Sequence, residues 1–439
     1  MEEPKIKVGI CSGTKIAINL LNEYYIKNIG ILLYGRYNTL ISNDLITIYD
    51  SGDNIIYSNK EISILPSNQD KNIFEIEDVT IGINFHWEKK ENQRFCGDLS
   101  LIIEDNKISA INNVGIEKYL ISVISSEMNA NASEEYLKTH AIISRSWVLS
   151  RIDADKQKKF KFEDTDTKRI KWYGREEHSN FDVCADDHCQ RYQGITRAST
   201  NNVINAIEAT KGTVLYSNNE ICDARFSKCC GGISEDFENV WEDEKVEYLT
   251  AIKDSASNQI KIDLTNEENA KEWIKTTPDA FCNITDSNIL STVLNDYDVT
   301  TINFYRWHVC YSQKDISEII KERSGIDFGQ VIKLTPLKRG RSGRIYELEV
   351  VGTKKTFIFG KELEIRKVLS KSHLYSSAFV VEYGEYDNNI PNQINIYGAG
   401  WGHGVGLCQI GAVKMIEEGY NYEKVLKHYF KGAELEKIY

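Results

Sequence analysis

The chain has 439 residues, of which 41% are hydrophobic and 27% are charged, a composition typical of a folded protein that excludes a disordered one. Its formal net charge of −12 argues against a nucleic-acid partner and against adhesion to anionic membrane surfaces. No apolar stretch has the length of a transmembrane helix, and the start MEEPKIKVGI lacks the layout of a signal peptide. Localisation therefore stays open: a chain that begins here would be cytoplasmic, whereas a removed signal would allow export.

The N-terminal region, residues 1–112, is predicted to be rich in β-strands. Short segments such as KVGIC, KIAINLL and LITIYD alternate with turns of Asn, Asp, Gly and Ser. From Gly115 to about Arg151 the apolar residues follow a helical period, which is interrupted at the stretch NANAS. Ser133 and the two glutamates after it are typical of the cap and acidic first turn of a second helix.

The rest of the chain mixes helices and strands. The charged stretch DADKQKKFKFEDTDTKR is predicted to be a solvated loop or a frayed helix end. Residues 256 to about 330 are predicted to be helical in pieces, and Gly325 is predicted to cap the helix KDISEIIKERS. A strand pair leading into a helix follows, then a glycine-rich loop and two helical segments. The predicted fold class is α+β.

The glycine-rich loop, GAGWGHGVG, has the most unusual local composition. Alternating glycines let the backbone adopt positive φ and let a ligand approach closely. A helix N-terminus behind such a loop can receive an anion or a polar sugar group. The alternative is a tight packing loop in which Trp401 is core and His403 caps the helix. The sequence does not distinguish a ligand-binding loop from a packing loop.

A second unusual segment is HSNFDVCADDHC. It places two imidazoles and two thiols within twelve residues, the ligand types of a structural zinc site, from His178, Cys184, His188 and Cys189. The spacing is not that of a zinc finger. The alternatives are a disulfide between Cys184 and Cys189 in an exported protein, or reduced thiols in a cytoplasmic one.

The paired cysteines of SKCCGG form a third candidate. Neighbours on an extended strand face opposite sides, so one of Cys229 and Cys230 is predicted to be core and the other to line a cleft. A thiol nucleophile with His140 or His403 as its base is conceivable. Buried, inert thiols are the default interpretation.

Glu127 ends the first predicted helix in the stretch SVISSEMNANAS. Its small neighbours, Ser125 and Ser126 among them, would keep a surrounding cleft open, and Met128 would supply an apolar wall. A carboxylic acid in such a setting suits a general acid. The alternative is a solvated acid at a helix end.

Three motifs carry a resemblance to a known family. In order and spacing, SVISSEM…HAIISRSWVLSR, ARFSKCCGGISEDFENVW and GAGWGHGVGLCQIGA resemble the stage II sporulation protein D family, the SpoIID/LytB domain. The resemblance runs from about Val114 to Leu249 and resumes from about Gly340 to Tyr439. It implies a catalytic core with a substrate groove in two parts, residues 113–255 and 340–439, separated by a mostly helical insertion at 256–339.

The resemblance implies a peptidoglycan lytic transglycosylase, which cleaves the MurNAc–GlcNAc bonds of peptide-stripped glycan strands to 1,6-anhydro products. Ordinary glycosidases need two carboxylates. Here the substrate's own C6 hydroxyl is the nucleophile, so Glu127 alone is the implied general acid and base. The implied substrate-binding residues are Ser126, Arg145, Ser146, Ser227, Gly231, Gly232, His403 and Gln409.

The resemblance also bears on cofactors and partners. Some members carry a zinc site of this kind, which implies structural zinc on His178, Cys184, His188 and Cys189 and no organic cofactor. Other members are described as amidase enhancers, so the alternative is a non-catalytic glycan-binding protein with an amidase or another cell-wall hydrolase as its partner. The cell envelope is the expected location. A third possibility is a cytoplasmic enzyme acting on recycled muropeptides.

Overall fold

A computed structural model describes residues 2–68, 72–83, 88–153, 162–172, 178–186, 188–196, 199–293 and 303–439. It confirms the predicted α+β class, with strands predominating. The chain forms two compact units. The first unit contains residues 1–154, 178–214 and 437–439, and the second contains residues 155–177 and 215–436. Within the described residues, no helix combines the length and apolarity that spanning a bilayer requires.

The elements follow one another in three groups. The first group consists of ten strands: β1 Lys5–Gly13, β2 Lys15–Ile26, β3 Leu32–Ser42, β4 Leu45–Tyr49, β5 Ile55–Asn59, β6 Glu61–Pro66, β7 Ile73–Ile81, β8 Lys89–Cys96, β9 Asp98–Glu104 and β10 Lys107–Gly115. The second group is mixed: α1 Ile116–Glu127, α2 Glu134–Asp153, β11 Phe162–Asp164, β12 Lys168–Lys171, β13 Val183–Cys184, α3 Asn201–Ala209, β14 Thr213–Ser217, β15 Glu220–Ile221, β16 Phe226–Ser227, α4 Phe237–Val240 and a 3-10 turn at Glu247–Leu249. The third group completes the chain: α5 Glu267–Lys275, α6 Ser287–Val293, β17 Arg306–Ser312, α7 Gln313–Ser324, β18 Val331–Arg339, β19 Ile345–Gly352, β20 Thr356–Gly360, α8 Glu362–Val368, β21 Phe379–Tyr383, β22 Tyr386–Asp387, β23 Ile390–Pro391, β24 Gln393–Ala399, β25 Leu407–Cys408, α9 Gln409–Glu417, α10 Tyr422–Tyr429 and β26 Glu434–Lys437.

The first unit is built on an eleven-stranded sheet. Its main path runs β13-β1-β10-β9-β6-β2-β3-β4-β5, and β7 pairs with β2 and β8. The long strand β2 pairs antiparallel with β3, β6 and β7, and its side chains alternate between buried and more exposed positions. The predicted strand-rich N-terminal region is therefore confirmed.

A row of buried aromatic rings, the aromatic ladder, connects this sheet with α1. Tyr24, Phe74, Phe95, Tyr192 and Tyr119 follow one another with ring centroids 6.2, 5.5, 5.8 and 5.2 Å apart. Each of these residues is at most 2% exposed. Edge-on and offset contacts of this kind add to the free energy of burial.

The helices α1 and α2 lie where the sequence predicts them. The predicted stripe of α1 is fully buried: Ile116, Tyr119, Leu120, Val123 and Ile124. Both oxygens of Glu117 on α1 accept hydrogen bonds from Arg145 on α2, at 3.0 Å from Nε and 2.7 Å from Nη2. Because this guanidinium is 0% exposed, the pair is a buried ion pair in a good bidentate geometry.

The second unit contains several smaller sheets. A five-stranded sheet has the order β11-β12-β20-β19-β18, a three-stranded sheet has the order β17-β24-β21, and β16 pairs in parallel with β25. As predicted, α7 ends at Gly325, which is left-handed with φ 74°. The charged stretch is not simply a loop, because β11 and β12 form a hairpin within it and β12 pairs with β20. Residues 154–161 of that stretch lie outside the described residues.

Candidate functional site

Glu127 is the last residue of α1. The next residue, Met128, leaves the helical conformation with φ −137° and ψ 168°, and it is only 2% exposed. The Glu127 side chain is half-buried, and its Oε1 accepts a hydrogen bond from the backbone N–H of Arg191 at 2.8 Å. The carboxylate is therefore oriented by a main-chain donor and has a buried apolar neighbour.

The donor belongs to a segment, residues 190–193, that is itself fixed to α1. The Tyr119 hydroxyl donates to Oε1 of Gln190 at 3.1 Å, and the backbone N–H of Gln193 donates to Oγ of Ser122 at 3.1 Å. These contacts leave the 190–193 segment little freedom to move along the helix. The hydrogen-bond donor of Glu127 is thus placed by neighbours on both sides.

Immediately before this segment lie the four residues of the predicted metal site, here the His–Cys cluster. His178 Nε2 is 3.2 Å from His188 Nδ1, and Cys189 Sγ is 3.4 Å from each of these nitrogens. Cys184 Sγ is 3.8 Å from His188 Nδ1, and all four ligand atoms lie within 4.8 Å of one another. The structure thus brings together the four residues that the sequence singled out.

Local structure explains how these ligands meet. Cys184 lies on the short strand β13, which pairs in parallel with β1, and the backbone N–H of Cys189 donates to the carbonyl of Asp186 at 3.0 Å. Cys184 and Cys189 are not disulfide-bonded. Hydrogen bonding with Cys189 and then burial raise the pKa of the Cys184 thiol to about 11. A thiol with such a pKa stays protonated at neutral pH unless a cation replaces its proton.

Three other predicted site residues lie within α1 and α2. Ser126 is 3% exposed, and Ser146 donates from Oγ to the carbonyl of Ile142 at 2.7 Å. The Arg145 guanidinium forms an ion pair with Glu117 and donates a hydrogen bond to the carbonyl of Thr213 at 2.9 Å. Arg145 therefore joins α2 to α1 and to the start of β14, whereas the Ser146 bond lies within α2.

The remaining predicted residues belong to the second unit. Ser227 lies on β16 and Gln409 begins α9, and they are 6% and 5% exposed. Gly231 and Gly232 are buried with φ of 81° and 105°. A Cβ at Gly231 would lie 2.9 Å from the backbone of Ala399 and Gly400, so only glycine fits there.

The glycine-rich loop is packed tightly. Gly400, Gly402, Gly404 and Gly406 all have positive φ, between 74° and 92°. The buried guanidinium of Arg344 donates to the carbonyls of Gly402 and Cys230, at 3.1 and 3.0 Å, which ties the loop to the strand of the paired cysteines. Nothing in the sequence pattern singled out Arg344, because its partners are distant backbone carbonyls.

His403 does not cap a helix. Its Nδ1 accepts a hydrogen bond from the backbone N–H of Val405 at 3.0 Å, inside the loop, whereas α9 begins only at Gln409. Burial, followed by the positive charges of Arg225, Arg344 and Arg366, lowers the pKa of His403 to about 3. The imidazole is therefore neutral at physiological pH, with one nitrogen already used as an acceptor.

The prediction that one of the paired cysteines lines a cleft is wrong. Cys229 is 0% exposed and Cys230 is 2% exposed. The chain bends after β16 so that neither thiol follows the simple alternation of an extended strand, and the backbone of Cys229 pairs instead with Trp401. A buried thiol is a poor nucleophile for a polymeric substrate.

Comparisons with known proteins agree with the motifs. A family model described as stage II sporulation protein matches residues 104–216, and a domain of unknown function (DUF8618) matches residues 235–406. Stage II sporulation protein D of Bacillus amyloliquefaciens is 24% identical over 329 residues, which cover 74% of this chain and 75% of that protein. The amidase enhancer of Bacillus subtilis (strain 168) is 27% identical over 334 residues, which cover 72% of this chain but only 40% of that protein. These matches confirm the resemblance predicted from the sequence.

Proposed function

Because a family model described as stage II sporulation protein matches residues 104–216, we propose that this chain acts on the bacterial cell wall as a peptidoglycan lytic transglycosylase. The observation that carries the proposal is the placement of Glu127. Its carboxylate ends a buried helix, keeps part of its surface exposed and is oriented by the N–H of Arg191. An oriented, half-buried carboxyl group is what protonation of a glycosidic oxygen requires.

The reaction needs only one such group. Glu127 donates its proton to the oxygen that joins MurNAc to GlcNAc while the bond from that oxygen to C1 of MurNAc breaks. The C6 hydroxyl of the same MurNAc then attacks C1, and its proton passes to the Glu127 carboxylate. The products are a 1,6-anhydro end and a free GlcNAc hydroxyl, and no water is consumed. A hydrolase would instead need a second carboxylate to activate water or form a covalent intermediate.

The hydrogen bond from Arg191 makes the two carboxylate oxygens of Glu127 inequivalent. Oε1 accepts the main-chain N–H, which fixes the rotation of the carboxyl group. An oxygen that accepts an N–H bond carries a proton less favourably, so Oε1 is not the proposed donor atom. Pre-set orientation of this kind lowers the entropic part of the activation barrier.

We propose that the His–Cys cluster binds a structural zinc ion. Tetrahedral zinc, with bonds of about 2.05 Å to nitrogen and 2.3 Å to sulfur, separates its ligand atoms by about 3.3 to 3.8 Å. The distances of 3.4 and 3.8 Å within the cluster lie in that range, and the 3.2 Å between His178 Nε2 and His188 Nδ1 lies just below it. Such an ion supplies folding free energy and takes no part in the chemistry. Because Cys189 directly precedes the 190–193 segment, it would anchor the donor of Glu127.

Contacts between glycan and Ser126, Ser227, Gly231, Gly232, His403 or Gln409 remain proposals. All of these residues except His403 are buried, so any contact would be made mainly by loop backbone. For Arg145 and Ser146 we propose positioning roles through α1 and α2, based on their buried hydrogen bonds.

The test is digestion of amidase-treated glycan strands, with mass spectrometry to detect 1,6-anhydro ends. We expect the wild-type protein to produce them and Glu127→Gln to lower the rate by about 10²- to 10⁴-fold, since amide cannot transfer the proton. The matched control is Glu134→Gln, which changes an exposed carboxylate at the start of α2. Absence of anhydro products from the wild type would refute the enzyme, and an active Glu127→Gln would refute only the site.

A second function is favoured by the match to the amidase enhancer. In this alternative the protein binds glycan and stimulates an amidase without cleaving the strand. Stem-peptide release by a cell-wall amidase, with and without the protein, distinguishes the two. Stimulation that Glu127→Gln leaves unchanged, together with no anhydro ends from the wild type, would establish the alternative.

A further inference from the structure

A second group of ligand-type side chains is buried inside the second unit, here the buried thiol cluster. It consists of Cys230, Asp254, Cys282 and Cys408, of which none is more than 2% exposed. Their sulfur and carboxylate oxygen atoms all lie within 4.8 Å of one another, and Cys230 Sγ is 3.6 Å from Cys282 Sγ. A disulfide bond would bring two sulfurs to about 2.05 Å, so this pair is not one.

The backbone and its neighbours hold these groups in place. The N–H of Cys230 donates to Cys408 Sγ at 3.2 Å, and the N–H of Cys282 donates to Asp254 Oδ2 at 2.9 Å. The hydroxyl of Tyr429 donates to Asp254 Oδ1 at 2.7 Å. Each carboxylate oxygen can accept two such interactions, so both retain one position for a further partner. Metal ligands in proteins are typically oriented by hydrogen bonds of this kind.

Asp254 is a second, independent indication of a cation site, because it is a buried acidic residue with no cationic side chain paired with it in the described part of the chain. It is 0% exposed, and within the described part of the chain no lysine, arginine or histidine forms an ion pair with it. Buried carboxylates are normally paired with a cation or coordinate a metal. Three thiols surround this carboxylate where an arginine or lysine would ordinarily be found.

We propose that the buried thiol cluster binds a thiophilic divalent cation of the zinc class through Cys230, Cys282, Cys408 and Asp254. Thiolate-rich, four-ligand sites select zinc over magnesium or calcium, which prefer oxygen ligands. In a tetrahedral zinc site two sulfurs are about 3.8 Å apart, close to the 3.6 Å between Cys230 and Cys282.

Binding of a divalent cation changes the protonation of the thiols and the net charge of the cluster. Each of the three thiols loses a proton to solvent as its sulfur bonds the ion, and Asp254 binds as its carboxylate. The complex carries two negative charges in excess of the ion's charge. The hydrogen bonds from Tyr429 and from the amides of Cys230 and Cys282 lie where they would offset that excess.

The cluster joins segments that are far apart in the chain. Cys230 directly precedes Gly231 and Gly232, and Cys408 directly precedes Gln409. Asp254 and Cys282 come from the segments between the short 3-10 turn and α6. A bound ion would therefore fix two of the predicted glycan-binding segments of the second unit against its interior.

Metal content measured by mass spectrometry after purification without chelators tests the proposal. We expect about two zinc equivalents per wild-type chain if both clusters are loaded, and one fewer in Cys230→Ser/Cys282→Ser. The controls are Cys222→Ser, which changes a buried thiol elsewhere, and Cys310→Ser, which changes an exposed one. Unchanged zinc content in Cys230→Ser/Cys282→Ser would overturn the proposal.

A second measurement covers the case in which that variant does not fold. Cys184→Ser/Cys189→Ser disables the His–Cys cluster and leaves the buried thiol cluster intact. Refolded with Co²⁺, it should bind about one equivalent and show a near-ultraviolet sulfur-to-cobalt charge-transfer band, because three thiolates bind the ion. No bound cobalt, or cobalt bound without the sulfur band, would overturn the proposal. A Cys230–Cys282 disulfide in freshly purified, metal-free protein would overturn it as well.

Discussion

The two cysteine clusters use similar ligand chemistry in opposite ways. In the His–Cys cluster the terminal ligands, His178 and Cys189, are 11 positions apart in the chain, and the side chains keep part of their surface exposed. In the buried thiol cluster Cys230 and Cys408 are 178 positions apart, and all four ligands are buried. A bound ion would close a short loop in the first cluster, whereas in the second it would join distant parts of a folded core.

This difference determines what each cluster contributes. Closing a longer loop removes more conformational entropy from the unfolded chain, by about 2.5 kcal/mol for the sixteenfold difference between 178 and 11 positions. Exposure determines how readily an ion leaves, because a surface site opens by local motion and a core site only by larger unfolding. The His–Cys cluster should therefore act locally on Glu127, and the buried thiol cluster on the stability of the second unit.

The largest expected difference is in the rate of metal release. With a chromogenic zinc chelator in excess, we expect two phases separated by about a thousandfold or more, since the slow phase requires opening against most of the folding free energy. The fast phase should disappear in Cys184→Ser/Cys189→Ser. A single phase in the wild type that accounts for two zinc ions would show that the two clusters are equally accessible.

The next effect concerns the rate of glycan cleavage. Cys189→Ser should lower it by about 10- to 100-fold, because a zinc ion on Cys189 would anchor the segment whose Arg191 N–H orients Glu127. Anhydro-end formation is the measurement, and Cys11→Ser, a half-buried thiol of the same unit, is the control. Full activity of zinc-free Cys189→Ser would remove the proposed link between the His–Cys cluster and the carboxylate.

A smaller difference is expected in stability. Cys408→Ala should lower the free energy of unfolding by about 2.5 kcal/mol more than Cys189→Ala, because it releases one end of the 178-position connection to Cys230, whereas Cys189→Ala releases one end of the 11-position connection to His178. Urea unfolding, followed with probes in each unit, measures this. Equal destabilisation by the two substitutions would contradict the assignment of a core-stabilising role to the buried thiol cluster.

The smallest effect is a pH dependence that does not involve either cluster. The pKa of His403 is lowered to about 3 in the folded protein, whereas an unfolded histidine titrates near 6.5. As pH falls below about 6.5 the unfolded chain gains a proton that the folded chain does not, so His403 lowers stability by up to about 1.4 kcal/mol per pH unit until about pH 3.

The test variant is His403→Asn, which retains a hydrogen-bond acceptor, and the control variant is His308→Asn, which changes an exposed histidine. The loss of melting temperature between pH 7 and pH 5 should be smaller in His403→Asn than in the wild type. It should be unchanged in His308→Asn. An equal loss in all three proteins would contradict the lowered pKa of His403.

Local features of the fold could be predicted from the sequence. The helix that ends at Glu127, the restart at Glu134 and the cap at Gly325 depend on residues within a few positions, and the structure has all three. The His–Cys cluster was recognisable for the same reason, because its ligands lie within one short loop. The family resemblance also followed from contiguous motifs.

Features that depend on distant pairing could not be predicted. The order of the eleven strands is set by register and by side-chain contacts across the sheet, not by any one segment. The family resemblance implied a substrate-binding role for Arg145, whose guanidinium pairs with Glu117, 28 positions away. Cys282 and Cys408 stood alone in the sequence, and only the packing of the second unit brings them to Cys230.

The aromatic ladder connects the strand-rich region of the first unit with the helix that ends at the proposed acid, Glu127. Close-packed rings resist compression and cannot shorten by changing rotamer. The stack that begins at Tyr24 in the sheet ends at Tyr119, two helical turns before Glu127. The stack therefore fixes the position of α1, and with it Glu127, relative to the sheet. A substitution that leaves a cavity at Phe74 should shift Glu127 although the two residues are not in contact.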